Sequence, residues 1–142
     1  MIDVEFVIWT DCYSVSDSSL DEEHQRIFAD INKLYLPMQG HSPGLAAERL
    51  LDGLTHSARI HFQHEEDRMK EIVFIGFEAH KALHDNMLQW MADLKSQLMA
   101  RVACDSMKFI KVWWLDHILN EDKKYAAFVE GVRVWSDEHL NM

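Results

Sequence analysis

An apolar stripe at helical spacing runs through residues 77–98 and constrains the fold more strongly than any other feature of the sequence. Residues three or four apart lie on one face of an α-helix, and the stripe keeps this spacing throughout. Its members are Phe77, His80, His84, Met87, Met91, Leu94 and Leu98. The pattern predicts an amphipathic helix whose buried face carries two histidines one turn apart.

Three other segments repeat this periodicity, so the chain is expected to form four helices of similar length. The predicted helices cover residues 20–39, 45–72, 77–99 and 106–128. Ser19 and Glu22 match the S-x-x-E capping box, which predicts that the first helix begins there. A Gly-His-Ser-Pro-Gly turn, Gly76 and a short break at residues 103–106 separate the helices. Four helices with short connections predict an all-α, up-down-up-down four-helix bundle.

The two ends of the chain lack this clear periodicity. Residues 1–18 are expected to form an N-terminal arm, and residues 129–142 a short C-terminal helical tail that frays at its end. The chain has 142 residues, of which 48% are hydrophobic, and this is enough to bury one sizeable core. It contains no repeat of fixed period, so we expect a single domain over residues 1–142.

Charge and composition exclude several classes of function. The net charge of -10 argues against nucleic acid or an anionic membrane as a partner, because both need a basic surface. No apolar run approaches the roughly 18 residues of a membrane span, and no signal peptide is recognisable. Cys12 and Cys104 are expected to be reduced thiols rather than a disulfide. We therefore expect a cytoplasmic protein.

The nine histidines divide into two groups according to the predicted helix faces. Five continue the buried lines of their helices: His24, His61, His80, His84 and His117. The other four fall in turns, on exposed faces or in the tail, and are expected at the surface: His41, His56, His64 and His139.

Carboxylates accompany the inward histidines on two helices. Glu65 follows His61 by four residues, and Glu121 and Asp122 follow His117. A single inward histidine is more often a hydrogen-bonded core residue, but groups of this kind from all four helices cannot remain unpaired in an apolar interior. A metal site in the bundle core resolves all of them together. Spacing alone favours Glu121 over Asp122. Glu121 follows His117 by four residues and shares its helix face, whereas Asp122 follows it by five and is rotated about 140° away from it around the helix.

Four segments resemble the successive signatures of hemerythrin, specifically the bacterial hemerythrin domain. They are LDEEHQRIF at residues 20–28, HFQHEEDRM at 61–69, HKALH at 80–84 and WWLDHILNEDKKYAAF at 113–128. The resemblance covers nearly the whole chain and includes Trp9 and Tyr13. One departure is Ser16-Asp17, where the family usually has Gly-Ile.

The resemblance implies two iron ions joined by an oxo or hydroxo bridge. His80, His84 and His117 would bind one iron, and His24 and His61 the other. Glu65 and Asp122 would bridge both irons. The family pattern thus selects Asp122 against simple helical geometry, and a local π-bulge would bring that side chain inward.

The same assignment leaves one coordination position open on the two-histidine iron, where dioxygen would bind. The resemblance implies that Trp113, Trp114 and Ile118 line this O₂ pocket. Trp114 stands where the family usually has leucine. An indole there is expected either to narrow the pocket or to pack between helices.

Reversible dioxygen binding, for transport, storage, delivery or sensing, is therefore the predicted function, and the protein is not expected to be an enzyme. The alternative is a di-iron oxidase or peroxidase, or iron storage, at the same site. The sequence identifies no protein partner.

Overall fold

The computed structural model describes residues 5–39, 44–97 and 105–140, and they form a bundle of helices. The α-helices are α1 (Ser18–Met38), α2 (Gly44–Glu71), α3 (Phe77–Gln97), α4 (Asp105–Asp116) and α5 (Lys123–Leu140). A six-residue π-helical segment, His117–Asp122, joins α4 directly to α5, so these three form the fourth helix of the bundle. The predicted all-α four-helix bundle is confirmed.

Packing between the helices follows the order of the chain. Helix α1 lies against α2 and also against α4, and α2 lies against α3. The predicted stripe of α3 is buried from His80 to Leu94, whereas Leu98 lies outside the described residues. None of the helices in the described part of the chain combines the length and the hydropathy that a membrane span requires.

The N-terminus of α1 differs from the predicted capping box. Asp17 is the N-cap, and its Oδ1 accepts a hydrogen bond from the backbone N–H of Leu20 at 3.0 Å. Helix α1 begins at Ser18, so Ser19 lies inside the first turn and cannot cap it. A carboxylate at this position satisfies a free N–H group and also interacts favourably with the helix dipole.

The N-terminal arm packs along α1 instead of extending into solvent. The backbone of Val7 forms two hydrogen bonds with the side chain of Asn32, at 2.8 and 2.9 Å. Ser16 adopts a left-handed conformation with φ of 59°, which is favoured by glycine and strained for serine. Asp17 forms an ion pair with Arg68 of α2, so this departure from the family pattern ties the arm to a second helix.

Helix α2 ends at Glu71, one residue before the predicted end, and the turn that follows it is made by Val73, ahead of the predicted break at Gly76. Val73 has a φ of 54°, and the N–H of Phe74 donates to the carbonyl of Met69 at 2.9 Å. This is the pattern of a Schellman C-cap. Phe74 then packs against Tyr125 of α5, with ring centroids 5.7 Å apart.

The predicted C-terminal tail is part of the fourth helix. Helix α5 runs to Leu140, beyond the expected end at residue 128, and it is continuous with the π-helical segment. Val129 packs against the core, whereas Val132 is 40% exposed and Trp135 60% exposed. Cys12 is an exposed free thiol, and Cys104 lies outside the described residues.

Candidate metal centre

Five histidines from all four bundle helices meet in the interior. His24 comes from α1, His61 from α2, His80 and His84 from α3, and His117 from the start of the π-helical segment. None of them is more than 3% exposed. Each turns its Nε2 atom toward the others or toward a buried carboxylate.

Two fully buried carboxylates, Glu65 and Asp122, complete this cluster. The ligand atoms form two overlapping groups, and within each group they lie no more than 4.8 Å apart. One group contains Glu65, His80, His84, His117 and Asp122, and the other contains His24, His61, Glu65 and Asp122. The seven residues selected from the sequence are therefore brought together, and both carboxylates belong to both groups.

The π-helical segment explains why Asp122 rather than Glu121 enters the cluster. A π-helix repeats its hydrogen bonds from residue i to i+5, so Asp122 aligns with His117. Asp122 Oδ1 lies 3.1 Å from His117 Nε2. The side chain of Glu121 is 31% exposed and faces Lys124. Simple α-helical geometry, which favoured Glu121, fails here because the helix is locally wider.

Distances within the cluster suit a metal better than hydrogen bonding alone. The Nε2 atoms of His24 and His61 are 2.9 Å apart, and those of His84 and His117 are 3.1 Å apart. Two ligands at right angles on one ion, each about 2.1 Å from it, lie about 3 Å apart. The ring nitrogens therefore have the separation expected of neighbouring ligands.

The carboxylate oxygens point to the same conclusion. Among the described residues, Glu65 Oε2 and both oxygens of Asp122 are buried without a hydrogen-bond partner. Asp122 nevertheless lies 3.0 Å from His80 and 3.1 Å from His24. Buried anionic oxygens that face several ring nitrogens without hydrogen-bond geometry are explained by a cation between them. The donor set of imidazoles and carboxylates thus fits a transition metal.

Electrostatics keep the two carboxylates ionised despite their burial. Burial opposes the ionisation of Asp122, but His117, His24 and His80 outweigh it and hold the pKa of Asp122 well below its ordinary value. The pKa of Glu65 is also lowered, because His80, His84 and His61 oppose the effects of burial and of Asp122. Burial likewise disfavours the charged form of His80, yet the neighbouring carboxylates of Asp122 and Glu65 raise its pKa to about 9. A metal binding here must displace that proton.

Two further carboxylates, which the sequence analysis missed, support the histidine rings from outside. Glu66 Oε2 accepts from His84 Nδ1 at 2.8 Å, and Glu23 Oε1 lies 3.0 Å from His61 Nδ1. An imidazole that donates its Nδ1–H to a carboxylate has its Nε2 lone pair free for a metal. The only signal in the sequence is that Glu66 and Glu23 adjoin predicted ligands.

Of the four histidines expected at the surface, the structure describes the side chains of two. His56 and His64 are exposed, as predicted, while His41 and the side chain of His139 lie outside the described residues. His64 is not isolated, because its Nδ1 lies 2.5 Å from Glu23 Oε2. Glu23 therefore links a surface histidine to His61.

Aromatic rings cover one side of the cluster. Trp113 stacks on His117 with centroids 4.5 Å apart, and Phe62 stacks on His84 at 3.9 Å. Trp114 is fully buried and stacks on Phe62 at 5.2 Å, so it packs between α2 and α4. Ile118 is also fully buried. Of the three residues suggested as pocket lining, Trp113 stacks on His117, Trp114 lies near His61 and Ile118 is buried.

A separate cavity of about 620 Å³ lies between the N-terminal arm, the end of α2 and α5. Tyr125 lines it, whereas none of the seven cluster residues does. Burial, together with the negative charge of Glu65, raises the pKa of Tyr125 to about 12.

Comparison with known proteins gives consistent matches. The model of the hemerythrin HHE cation binding domain matches residues 16–129. A hemerythrin-like protein of Naegleria gruberi is 32% identical over 119 residues, which cover 84% of this chain and 90% of that protein. A bacteriohemerythrin of Methylococcus capsulatus is 33% identical over 110 residues, covering 75% of this chain and 82% of that protein.

Solved structures agree with these matches. The crystal structure of a wild-type hemerythrin superposes with a TM-score of 0.78 at 30% identity, covering 86% of this chain and 96% of that one. A hemerythrin variant in which tyrosine replaces a leucine gives a TM-score of 0.79 at 29% identity, covering 87% and 97% of the two chains.

Proposed function

This chain belongs to the hemerythrin family, and on that premise we propose that it binds dioxygen reversibly at a non-haem di-iron site. The protein serves O₂ transport, storage, delivery or sensing and acts as a carrier rather than an enzyme. The proposed iron ligands are the seven buried side chains of the cluster: His24, His61, Glu65, His80, His84, His117 and Asp122.

The single observation that carries this proposal is that the two groups of ligand atoms share Glu65 and Asp122. Glu65 Oε1 lies 2.7 Å from His80, while its Oε2 lies 3.6 Å from His61. Asp122 Oδ1 faces His117, and its Oδ2 faces His24. Each carboxylate thus directs one oxygen toward each of the two groups. This arrangement supports a site for two ions side by side.

The unequal groups support binding of a small ligand. One group has five side chains and the other, with His24 and His61, has four. A metal with fewer protein ligands keeps a position open, and this distinguishes reactive sites from closed structural ones. Iron ions held by these two groups would supply the reversible electron transfer that dioxygen binding requires.

The protein's own contribution is to orient the ligands and exclude water. Glu66 and Glu23 hold His84 and His61 by their Nδ1 atoms, so the rings cannot rotate away. Phe62 and Trp113 cover the faces of His84 and His117. A dry, apolar surrounding slows irreversible oxidation, which a carrier must avoid.

Metal analysis combined with a visible spectrum tests the proposal. We expect two iron ions per chain and an absorption band that appears in air and disappears under nitrogen through repeated cycles. His61→Ala should lose iron, whereas His56→Ala, which changes an exposed histidine of the same helix, should retain both ions.

The proposal would be contradicted by zinc or manganese in place of iron, or by a visible spectrum that is the same in air and under nitrogen. Catalytic turnover with peroxide or an added reductant, without reversible binding, would favour the oxidase or peroxidase alternative.

A further inference from the structure

The indole nitrogen of Trp114 is a buried hydrogen-bond donor without an acceptor. Its Nε1 atom is inaccessible to solvent and has no hydrogen-bond partner among the residues that the structure describes. The whole side chain is 0% exposed. Buried N–H groups are almost always paired, so an unpaired one requires an explanation.

The surroundings of Trp114 supply aromatic surface instead of polar atoms. Its ring stacks on Phe62, with an interplanar angle of 14°, and meets the ring of Trp113 edge-on at 5.1 Å. Phenylalanine in this position would preserve such packing at no cost in hydrogen bonding. The N–H group is therefore not needed for the stack itself.

The position of the ring relates this donor to the metal centre. The centroid of Trp114 lies 6.3 Å from that of His61, which belongs to the group with four ligands. A small molecule that completes this group would lie beside His61, whose ring is a neighbour of the Trp114 ring. Sites for small ligands are mostly apolar, with a few polar groups that fix orientation.

We propose that the Trp114 N–H donates a hydrogen bond to a small linear ligand, such as dioxygen or azide, held at the four-ligand half of the centre. The acceptor is the outer atom of the ligand, which carries partial negative charge. This inference rests on the proposed di-iron function. It makes Trp114 a residue that selects ligands able to accept a hydrogen bond.

Azide binding to the iron-loaded protein tests the inference. We compare wild type with Trp114→Phe, which keeps the aromatic stack and removes the N–H. Trp90→Phe is the matched control, because Trp90 packs against Phe109 away from the cluster. Visible titration should give a Kd for azide about 10-fold higher in Trp114→Phe, as expected for loss of a hydrogen bond to an anion, and unchanged in Trp90→Phe.

Vibrational spectra provide a second readout that does not depend on affinity. The infrared stretch of bound azide should shift between H₂O and D₂O in wild type and in Trp90→Phe, but not in Trp114→Phe. In wild type, one indole N–H mode in the ultraviolet Raman spectrum should shift when azide binds. If Trp114→Phe fails to fold, the Raman shift of the wild-type protein alone tests whether an indole N–H contacts the bound azide.

Equal azide affinity in Trp114→Phe, together with an unchanged isotope shift, would overturn the inference and leave the di-iron function intact. An indole mode that does not change when azide binds would also overturn it, because the N–H then makes no hydrogen bond to the ligand. Failure of the wild-type protein to take up two irons would instead refute the proposed function, and the inference with it.

Discussion

Glu66 Oε2 lies 2.8 Å from His84 Nδ1, and Glu66 is only 7% exposed. A buried carboxylate in this position orients the ring and increases its basicity as a ligand. Glu66 is adjacent to Glu65 in the sequence, yet the two residues have different tasks. Glu65 faces the Nε2 atoms of the rings inside the cluster, whereas Glu66 binds the Nδ1 atom on the opposite side of the His84 ring.

Glu66→Gln should weaken iron binding about 10- to 100-fold, because outer carboxylates of metal-bound histidines have effects of this size. Competition with a chelator, followed by iron counting, measures the change. Glu78→Gln, which alters an exposed glutamate in the first turn of the same α3 that carries His84, serves as the control and should keep wild-type affinity. Equal affinities in the two variants would show that Glu66 does not support His84.

Asp122→Ala should lose iron, whereas Glu121→Ala should retain two ions per chain. The reason is that the π-helical segment turns Asp122 toward His117 and leaves Glu121 at the surface. Iron content and helical content measured on the same samples separate loss of a ligand from loss of fold. Iron loss in Glu121→Ala alone would reverse the assignment.

Asp17→Ala should lower the free energy of unfolding by about 1–2 kcal/mol, since it removes the N-cap of α1. The ion pair with Arg68 is partly exposed and adds little to this value. Ser19→Ala is the matched control, because Ser19 lies inside the first turn and its change should stay within about 0.5 kcal/mol. Urea unfolding of both variants measures the difference, and a larger loss in Ser19→Ala would restore the predicted capping box.

Stability should fall as the pH rises from about 10 to about 12, and Tyr125 should contribute to the fall. Its pKa is about 12 in the folded protein and about 10 in the unfolded chain. Between these values the unfolded chain releases the proton while the folded protein retains it, so the unfolded state gains stability. Tyr125→Phe should therefore lose less stability over this range, as measured by urea unfolding at pH 9 and pH 11. Identical pH dependence in both proteins would contradict this.

The sequence by itself determined the helical architecture and the inward histidines. Both follow from local periodicity, because residues three or four apart share a helix face whatever lies around them. The stripe through His80 and His84 therefore appears in the structure as predicted. The helix ends were less well determined, because capping depends on the backbone conformation of single residues such as Asp17 and Val73.

Helical spacing did not decide which carboxylates meet the histidines. The family resemblance selected Glu65 and Asp122, and only the tertiary structure gave the reason for Asp122 and revealed the roles of Glu66 and Glu23. The choice between Glu121 and Asp122 depends on a local change of helical repeat, and α-helical spacing alone predicts the opposite result. The pairing of Glu66 with His84 connects α2 to α3, and that of Glu23 with His61 connects α1 to α2. Such contacts depend on how the helices pack, which a pattern along one helix does not contain. Periodicity thus predicts which side chains face inward, and packing decides which of them meet.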